Sequence, residues 1–545
     1  MSSVPPSRRS LLAVVLTIVV LLGGMPVSVA DGASTHDPTA TLEIDEELEN
    51  ATGTIEVIIT LEDEPVSESL PTETLIDDLE EHALDTQEPV ETYADETPGV
   101  TVLESFWVTN ALLLEVDTEQ VDLETFEQFG AVTAIHKNVD VPVPEPPAEP
   151  INETVMEHDP YQATAGIDLI DAPTVWKEHD VRGDGVRVAV LDTGVDAAHP
   201  DIDLYTEDPL DPTYPGGWAS FDAHGEQIEG SVPHDLDGHG THVSGTVAGG
   251  NTTGTSIGVA PEAELLHGQV LSSEGGTFAQ LLGGIEWALE EDADIVNLSL
   301  GIDGTVGAFV KPMERLEESG ILVIAAVGND GHGTSSSPAN SYDVSSVGAV
   351  SDSLEVANFS GGETIERDRW NTTGDTWPET YTVPTIAAPG VSVPSAVPGG
   401  YARLDGTSMA TPHVTGAAAL LLEIEDTNQE TLRNAMYDTA WHPEGETHDD
   451  RYGQGVLNVS AAAHALETGD VAVAPPTGER VGDRDTDNES AEESTVPDAL
   501  PTLPADEGAV SEATDWLSTP VGIVVALVAG VAVGIGVFLL RSQGR

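Results

Sequence analysis

The chain has 545 residues, with 97 Asp or Glu against 17 Lys or Arg, a formal charge of -80 and no cysteine. That length exceeds one ordinary domain, the charge would repel a phosphate backbone and excludes nucleic acid as a natural partner, and the lack of thiols excludes disulfides and thiolate catalysis. Because 39% of the residues are hydrophobic and fall in periodic segments, the acidity points to a core beneath a carboxylate-coated surface suited to high salt, not to disorder.

Residues 1–30 read as a signal peptide. Arg8 and Arg9 precede an apolar stretch from Leu11 to about Leu22, and Ser28-Val29-Ala30 offers small residues for cleavage. The paired arginines resemble a twin-arginine export signal. Residues 31–150 form an acidic front segment whose only Lys or Arg is Lys137. Within it TIEVIITLE (54–62), ALLLEVD (111–117) and AVTAIHKNVDV (131–141) have strand character, while LIDDLEEHAL (75–84) and VDLETFEQFG (121–130) have helical spacing, so a small α+β domain is expected. VPVPEPPAEP (141–150) is a proline-rich connector that cannot pack as a helix and should be open to proteolysis.

Residues 151–468 form the main body. VRVAVLDTG (186–194), AELLHGQVL (263–271), DADIVNLSLG (292–301), GILVIAAVGN (320–329) and VSSVGAV (344–350) read as buried strands, with GGIEWALEE (283–291) and MERLEESG (313–320) as helices between them. The alternation predicts an α/β fold: a parallel sheet with helices on both faces and functional groups at strand ends. Residues 469–518, rich in Pro, Thr, Asp and Glu, read as a disordered, self-repelling stalk. Residues 519–540 contain PVGIVVALVAGVAVGIGVFLL, uncharged and long enough to cross a hydrocarbon core of roughly 30 Å as one transmembrane helix. Arg541 and Arg545 in the tail 541–545 follow an acidic outer flank, which assigns the tail to the cytoplasm and the body to the outside of the membrane.

Three strand or helix ends carry chemistry. Asp192 follows four apolar residues, where a charge needs a partner. His239 stands among glycines in DGHGTHVSGTVAG, and Ser408 enters a small-and-apolar run in DGTSMATPHVTGAAALLL. A serine before such a run is ordinarily a helix cap. A serine hydroxyl is also a nucleophile once an imidazole takes its proton, and the imidazole needs a carboxylate to fix its tautomer. The sequence supplies one of each.

LDTGVDAAHPD, DGHGTHVSGTVAG and DGTSMATPHV, in that order, are similar to the motifs of the subtilisin family of serine proteases, and the chain resembles especially its halophilic archaeal members, the halolysins. AAVGND (325–330) resembles the segment supplying that family's oxyanion asparagine, here Asn329. The resemblance covers about 160–465 and implies acyl transfer by an Asp192–His239–Ser408 triad, with no cofactor for catalysis. It implies polypeptide substrates lying along Ser299, Leu300, Gly301 and Gly275, and SSSPAN (335–340) in the primary specificity pocket. Residues 40–140 resemble the inhibitory propeptide, which implies an autoprocessed precursor cut around 145–160 with its own front domain as inhibitor. Asp201 matches a calcium ligand of the family, although Thr252 stands where a ligand asparagine is usual; the resemblance admits a structural calcium ion there, the alternative being a solvated turn carboxylate. His242 is assigned to packing, and Asp196 and His199 to a turn. The stretch 361–384, with Trp370 and Trp377, exceeds the family's usual connection and reads either as a surface flap or as a salt-adaptation insert.

Competing readings fare worse. An aspartic protease needs a second D-T-G, and zinc hydrolysis through His239 and His242 lacks H-E-x-x-H. A catalytically silent surface-binding protein on the same scaffold would ordinarily have lost a triad member, and none is lost.

Overall fold

The strand Arg187–Asp192 (RVAVLD) is β-branched and apolar and buried along five of its six residues, as expected of a strand covered on both faces. It is one of seven strands in an all-parallel sheet, whose order is Ile386–Pro389, Ser345–Val350, Leu322–Ala326, Ile295–Leu298, Arg187–Asp192, Glu264–Gln269, Trp218–Ser220. The five strands expected from the sequence are present with trimmed ends. The two edge strands, Trp218–Ser220 and Ile386–Pro389, are additions. Side chains alternate between two cores: Val188 and Val190 face the helices His239–Ala248, Thr407–Ile424 and Val459–Thr468, while Ala189 and Leu191 face Phe278–Glu290 and Val310–Glu318. The order of connection reverses between Arg187–Asp192 and Ile295–Leu298. A crevice at the carboxyl ends of those two strands is where such sheets bind ligands.

The computed structural model describes residues 42–473 apart from 46, 49, 64–71, 145–147, 151–161, 375–376, 444 and 446–447. The signal segment, stalk and membrane-spanning segment expected from the sequence lie outside the described residues, as does most of the expected self-cleavage region. Among the described residues no helix is long and apolar enough to cross a membrane.

The front segment is an α+β unit. Its sheet runs Glu43–Ile44, Val132–Lys137, Thr54–Leu61, Ala111–Asp117, Val100–Phe106, and a helix spans Thr72–Glu96. That helix extends well beyond the expected 75–84 and accommodates Pro89 inside it. The stretch 121–130 forms only a short 3-10 turn, Leu123–Gln128. The unit has its own core around Phe126, Leu112 and Leu114, yet Phe106, Trp107 and Val108 join the core beneath Phe278–Glu290 of the body. Polar contacts fix the same junction. Glu286 accepts from the amides of Trp107 (2.5 Å) and Val108 (3.0 Å), and buried Arg315 pairs with Asp63 and Glu318.

The connector is more ordered than its prolines suggest. Asp140–Val141 pairs antiparallel with Gly276–Thr277, and Ala148–Pro150 pairs antiparallel with the strand Gly400–Leu404. Its described residues form no helix, as expected, and two short strands of the body hold it at either end. Prolines are tolerated there because edge pairing leaves alternate amides unused.

Candidate active site

Asp192 ends its strand at the reversal in the sheet, and its carboxylate is fully buried. Oδ1 accepts from the amide of Thr193 (2.7 Å) and from Nδ1 of His239 (2.8 Å). His239 opens the helix His239–Ala248, reached through Gly238 at φ 101°, a left-handed value that glycine adopts without strain. A side chain at Gly240 would collide with the carbonyl of Gly194, so this glycine lets the helix start press against the Asp192 turn. Because Nδ1 carries the proton toward Asp192, Nε2 is the basic nitrogen. It makes no hydrogen bond to any described residue. Burial pushes the imidazole's pKa down, but the charge and hydrogen bond of Asp192, with Asp237 and Asp235 nearby, outweigh it and leave the pKa raised above 6.5.

Ser408 is the second residue of the helix Thr407–Ile424, whose cap position is Gly406. The capping role expected for Ser408 is therefore corrected: the side chain that serves the helix start is Asn329, whose Oδ1 accepts from the amide (2.9 Å) and hydroxyl (3.1 Å) of Thr407. Those donors identify the oxygen end of the carboxamide and leave its NH2 as the donor end. Ser408 Oγ donates to the carbonyl of Ser299 (3.1 Å), and Ser299 Oγ returns a bond to the carbonyl of Ser408 (3.0 Å). Asn297, wholly buried, supports this pair by donating to Ser299 Oγ (3.0 Å) and accepting from Thr415 (2.9 Å). The helices bearing His239 and Ser408 pack against one another.

The remaining candidates divide. Leu300 is buried and Gly301 lies against the carbonyl of Ser337, beside the paired strands Ile302–Asp303 and Ser336–Ser337. Gly275, at φ 102°, lies against the connector; a Cβ there would stand 2.8 Å from the carbonyl of Val141. Gly275 and the connector strand are thus neighbours. His242 is buried with Nε2 on the carbonyl of Val393 (2.9 Å), and burial lowers its pKa to about 3, which fits packing. His199 reaches the carbonyl of Gly400 (3.0 Å) and meets Tyr401 edge-on, a structural role.

Asp201 is buried and held by two protein donors. Its Oδ1 accepts from the amide of Thr252 (2.7 Å) and its Oδ2 from the phenol of Tyr401 (2.6 Å), so a donor hydrogen faces each oxygen. Among the described residues no group of three or more acidic or imidazole side chains is placed to hold a metal.

One neighbour of the site has no local signature in the sequence. His267, fully buried, accepts from the amide of Gly194 at Nε2 (3.1 Å), pairs through Nδ1 with Ser244 Oγ (2.9 Å) and stacks on Trp218 at 19° between planes. Burial lowers its pKa to about 4. This neutral ring ties the turn after Asp192 to the helix that begins with His239.

Residues 183–455 match the subtilase family. Subtilisin amylosacchariticus from Bacillus subtilis subsp. amylosacchariticus is 36% identical over 342 residues, 61% of this chain and 80% of that protein. A subtilisin from Bacillus pumilus is 36% identical over 305 residues, 55% of this chain and 98% of its own. An intracellular serine protease from Paenibacillus polymyxa is 36% identical over 272 residues, 49% and 74% of the two chains.

Proposed function

The chain belongs to the subtilase family and is a serine-type endopeptidase; from that premise we propose that Ser408 is its nucleophile, His239 its general base and acid, Asp192 the carboxylate holding His239, and Asn329 an oxyanion donor. The observation that carries the assignment is the 2.8 Å bond from His239 Nδ1 to Asp192, which leaves Nε2 basic and without another partner among the described residues. In the resting arrangement the Ser408 hydroxyl is parked on the carbonyl of Ser299. Rotation about its Cα–Cβ bond hands the proton to Nε2 as Oγ attacks the peptide carbonyl. The imidazolium is stabilised by Asp192 and returns the proton to the leaving amine. Charge on the tetrahedral oxygen is met by the NH2 of Asn329 and by the Ser408 amide at the positive end of its helix. Ser299, Leu300 and Gly301 on one side and Gly275 on the other supply edges to which a polypeptide adds as a strand, with Ser335–Asn340 facing its primary side chain.

The same proposal makes the front segment a propeptide that inhibits the cleft and is removed by the enzyme itself. The pairing of Asp140–Val141 with Gly276–Thr277, next to Gly275, supports it. Export through a signal peptide, a C-terminal membrane anchor beyond an acidic stalk, an extracellular body and a halolysin-like adaptation to salt complete the reading, on the strength of the sequence features described above. A calcium ion at Asp201 plays no part in the chemistry; each oxygen of Asp201 keeps a second lone pair beside its protein donor. A serine-directed fluorophosphonate should label the wild-type chain and not Ser408→Ala, and Ser408→Ala should accumulate unprocessed precursor in a protease-deficient host. Labelling of Ser408→Ala, or its normal maturation, would remove Ser408 from this role. An unlabelled wild type would favour a silent binding scaffold.

A further inference from the structure

We infer that the hairpin inserted between Gly361 and Pro384 determines the side-chain selectivity of the cleft, by fixing the segment Ser335–Asp343 that walls it. This rests on the endopeptidase reading above and adds a specificity element to it.

The wall lies close to the chemistry. The residues that follow Ser299–Gly301 form the strand Ile302–Asp303, which pairs antiparallel with Ser336–Ser337. On the other side the amide of Ser336 donates to the carbonyl of Val327 (2.9 Å), and Ser336 Oγ fills the space a Cβ on Gly328 would need. Gly328 precedes Asn329. Ser335–Ser337 is therefore clamped between the strand leaving the Ser408–Ser299 contact and the turn that presents Asn329. On the endopeptidase reading, a substrate side chain entering beside Ser408 would meet this segment.

The hairpin, Glu363–Glu366 paired with Thr380–Val383, grips the wall from behind at three separated points. Ser335 Oγ donates to Glu363 (2.6 Å), the Tyr381 hydroxyl donates to the carbonyl of Asn340 (2.7 Å), and Trp377 Nε1 donates to Asp343 (2.6 Å). Backbone bonds between Gly362 and both Gly333 and Thr334, each 2.8 Å, add a fourth tie. The hairpin is itself held rigid. Trp370, Trp377 and Tyr381 are buried with Ile365 against Val310 and Val327, and Trp370 Nε1 donates to the Tyr381 hydroxyl (2.9 Å). A solvent-exposed flap would leave these rings free to move; here they form a small core whose polar tips all end on the wall or on one another, as buried indole and phenol groups require. A side-chain pocket discriminates by how firmly its walls resist displacement, so this brace should be read out in selectivity.

The test uses active enzyme matured from the full chain, with active-site concentration titrated by a fluorophosphonate. Peptide substrates differ only in the residue before the scissile bond. Tyr381→Phe, which keeps the ring and deletes the tie to Asn340 together with the acceptor of Trp370 Nε1, should change the ratio of kcat/KM for a large aromatic over a small residue by roughly threefold to tenfold, the scale of one positioning hydrogen bond. The change should appear in KM, with kcat on the favoured substrate close to wild type. Glu363→Gln, which weakens the tie to Ser335 and the ion pair with Arg369 while leaving the buried rings in place, should move the ratio in the same way and serves if Tyr381→Phe accumulates poorly. An unchanged ratio in labelled variants, whatever the melting temperature does, overturns the inference and leaves the hairpin a stabilising graft. A wild type that fails to label takes down the endopeptidase reading and this inference with it.

Discussion

His239 is pulled in two directions, and the outcome decides the pH range of the enzyme. Burial alone would lower the imidazole's pKa, whereas the carboxylate of Asp192 at 2.8 Å, helped by Asp237 and Asp235, raises it above 6.5. In the role proposed for it, His239 needs Nε2 unprotonated, so activity should be lost as pH falls through this raised value. The acid limb of kcat/KM should therefore have its midpoint above 6.5. Asp192→Asn removes both the charge and the acceptor that fixes the tautomer. It should lower the midpoint while cutting kcat by roughly 10⁴, the scale of a triad whose imidazole carries its proton on the wrong nitrogen. A pH–rate profile of the two proteins checks both parts, and a limb that stays in place would mean that another group titrates there.

At the scale of elements, the helix Phe278–Glu290 makes the contact between front segment and body sensitive to pH. Burial, with the charges of Glu290 and Glu104, lifts the Glu286 carboxyl from 4.5 to about 8, against the two amide bonds from Trp107 and Val108. If the front segment is a propeptide that is released, as proposed above, Glu286 loses the cover of Trp107 and Val108 and should return toward its ordinary value. The docked state thus holds a proton that the separated state releases. Docking is fully favoured below about 4.5 and loses that advantage as pH rises toward about 8. In a cleaved but undissociated complex, inhibition normalised to the free enzyme at each pH should weaken across that window, by at most about tenfold per pH unit. Glu286→Gln, which keeps an acceptor and cannot ionise, should make the profile flat. A flat profile in the wild type would disconnect Glu286 from release. None of this could be seen in the sequence, where Glu286 is one carboxylate among 97 acidic residues. What was legible there was local. In LDTG, GHGTH and GTSMA a proposed catalytic side chain and the glycines that let backbones approach it are sequence neighbours, so the motif points to the local geometry. The cap of the Ser408 helix was misassigned because its true partner, Asn329, is 78 residues away. His267 was overlooked because its partners Gly194, Ser244 and Trp218 come together only through strand pairing, which sets His267 opposite Trp218 on one side and Val190 on the other. The connector looked loose because pairing of two or three residues depends on the strand that receives them, not on their own composition.

Over the whole molecule the governing term is self-repulsion. A charge of -80 with only 17 basic residues leaves most carboxylates without a cation, and the described cations are concentrated at joints: Arg315 on Asp63 and Glu318, Arg433 on Glu317, Arg187 on Glu264. Two carboxyls are raised mainly by burial, with neighbouring carboxylates adding to it. Glu291 is raised to about 7 by burial and then by Glu207 and Glu290, and Glu91 is raised by burial and then by Asp95 and Glu88. Such repulsion acts over roughly 30 Å in 0.01 M salt and only about 3 Å in 1 M, so the folded state should gain stability steeply as salt is added. The expected result is a melting midpoint that climbs with NaCl at neutral pH. Salt also strengthens apolar burial when its ions are excluded from the surface, and a rising midpoint alone does not separate the two causes. Protonation does. If charge is responsible, lowering the pH into the carboxyl range should remove much of the dependence on NaCl, and sucrose should not replace the salt at neutral pH. If exclusion is responsible, the dependence should survive acidification and sucrose should substitute. A chain that is fully folded and active in millimolar salt would show that its acidic coat is not an adaptation to ionic strength at all.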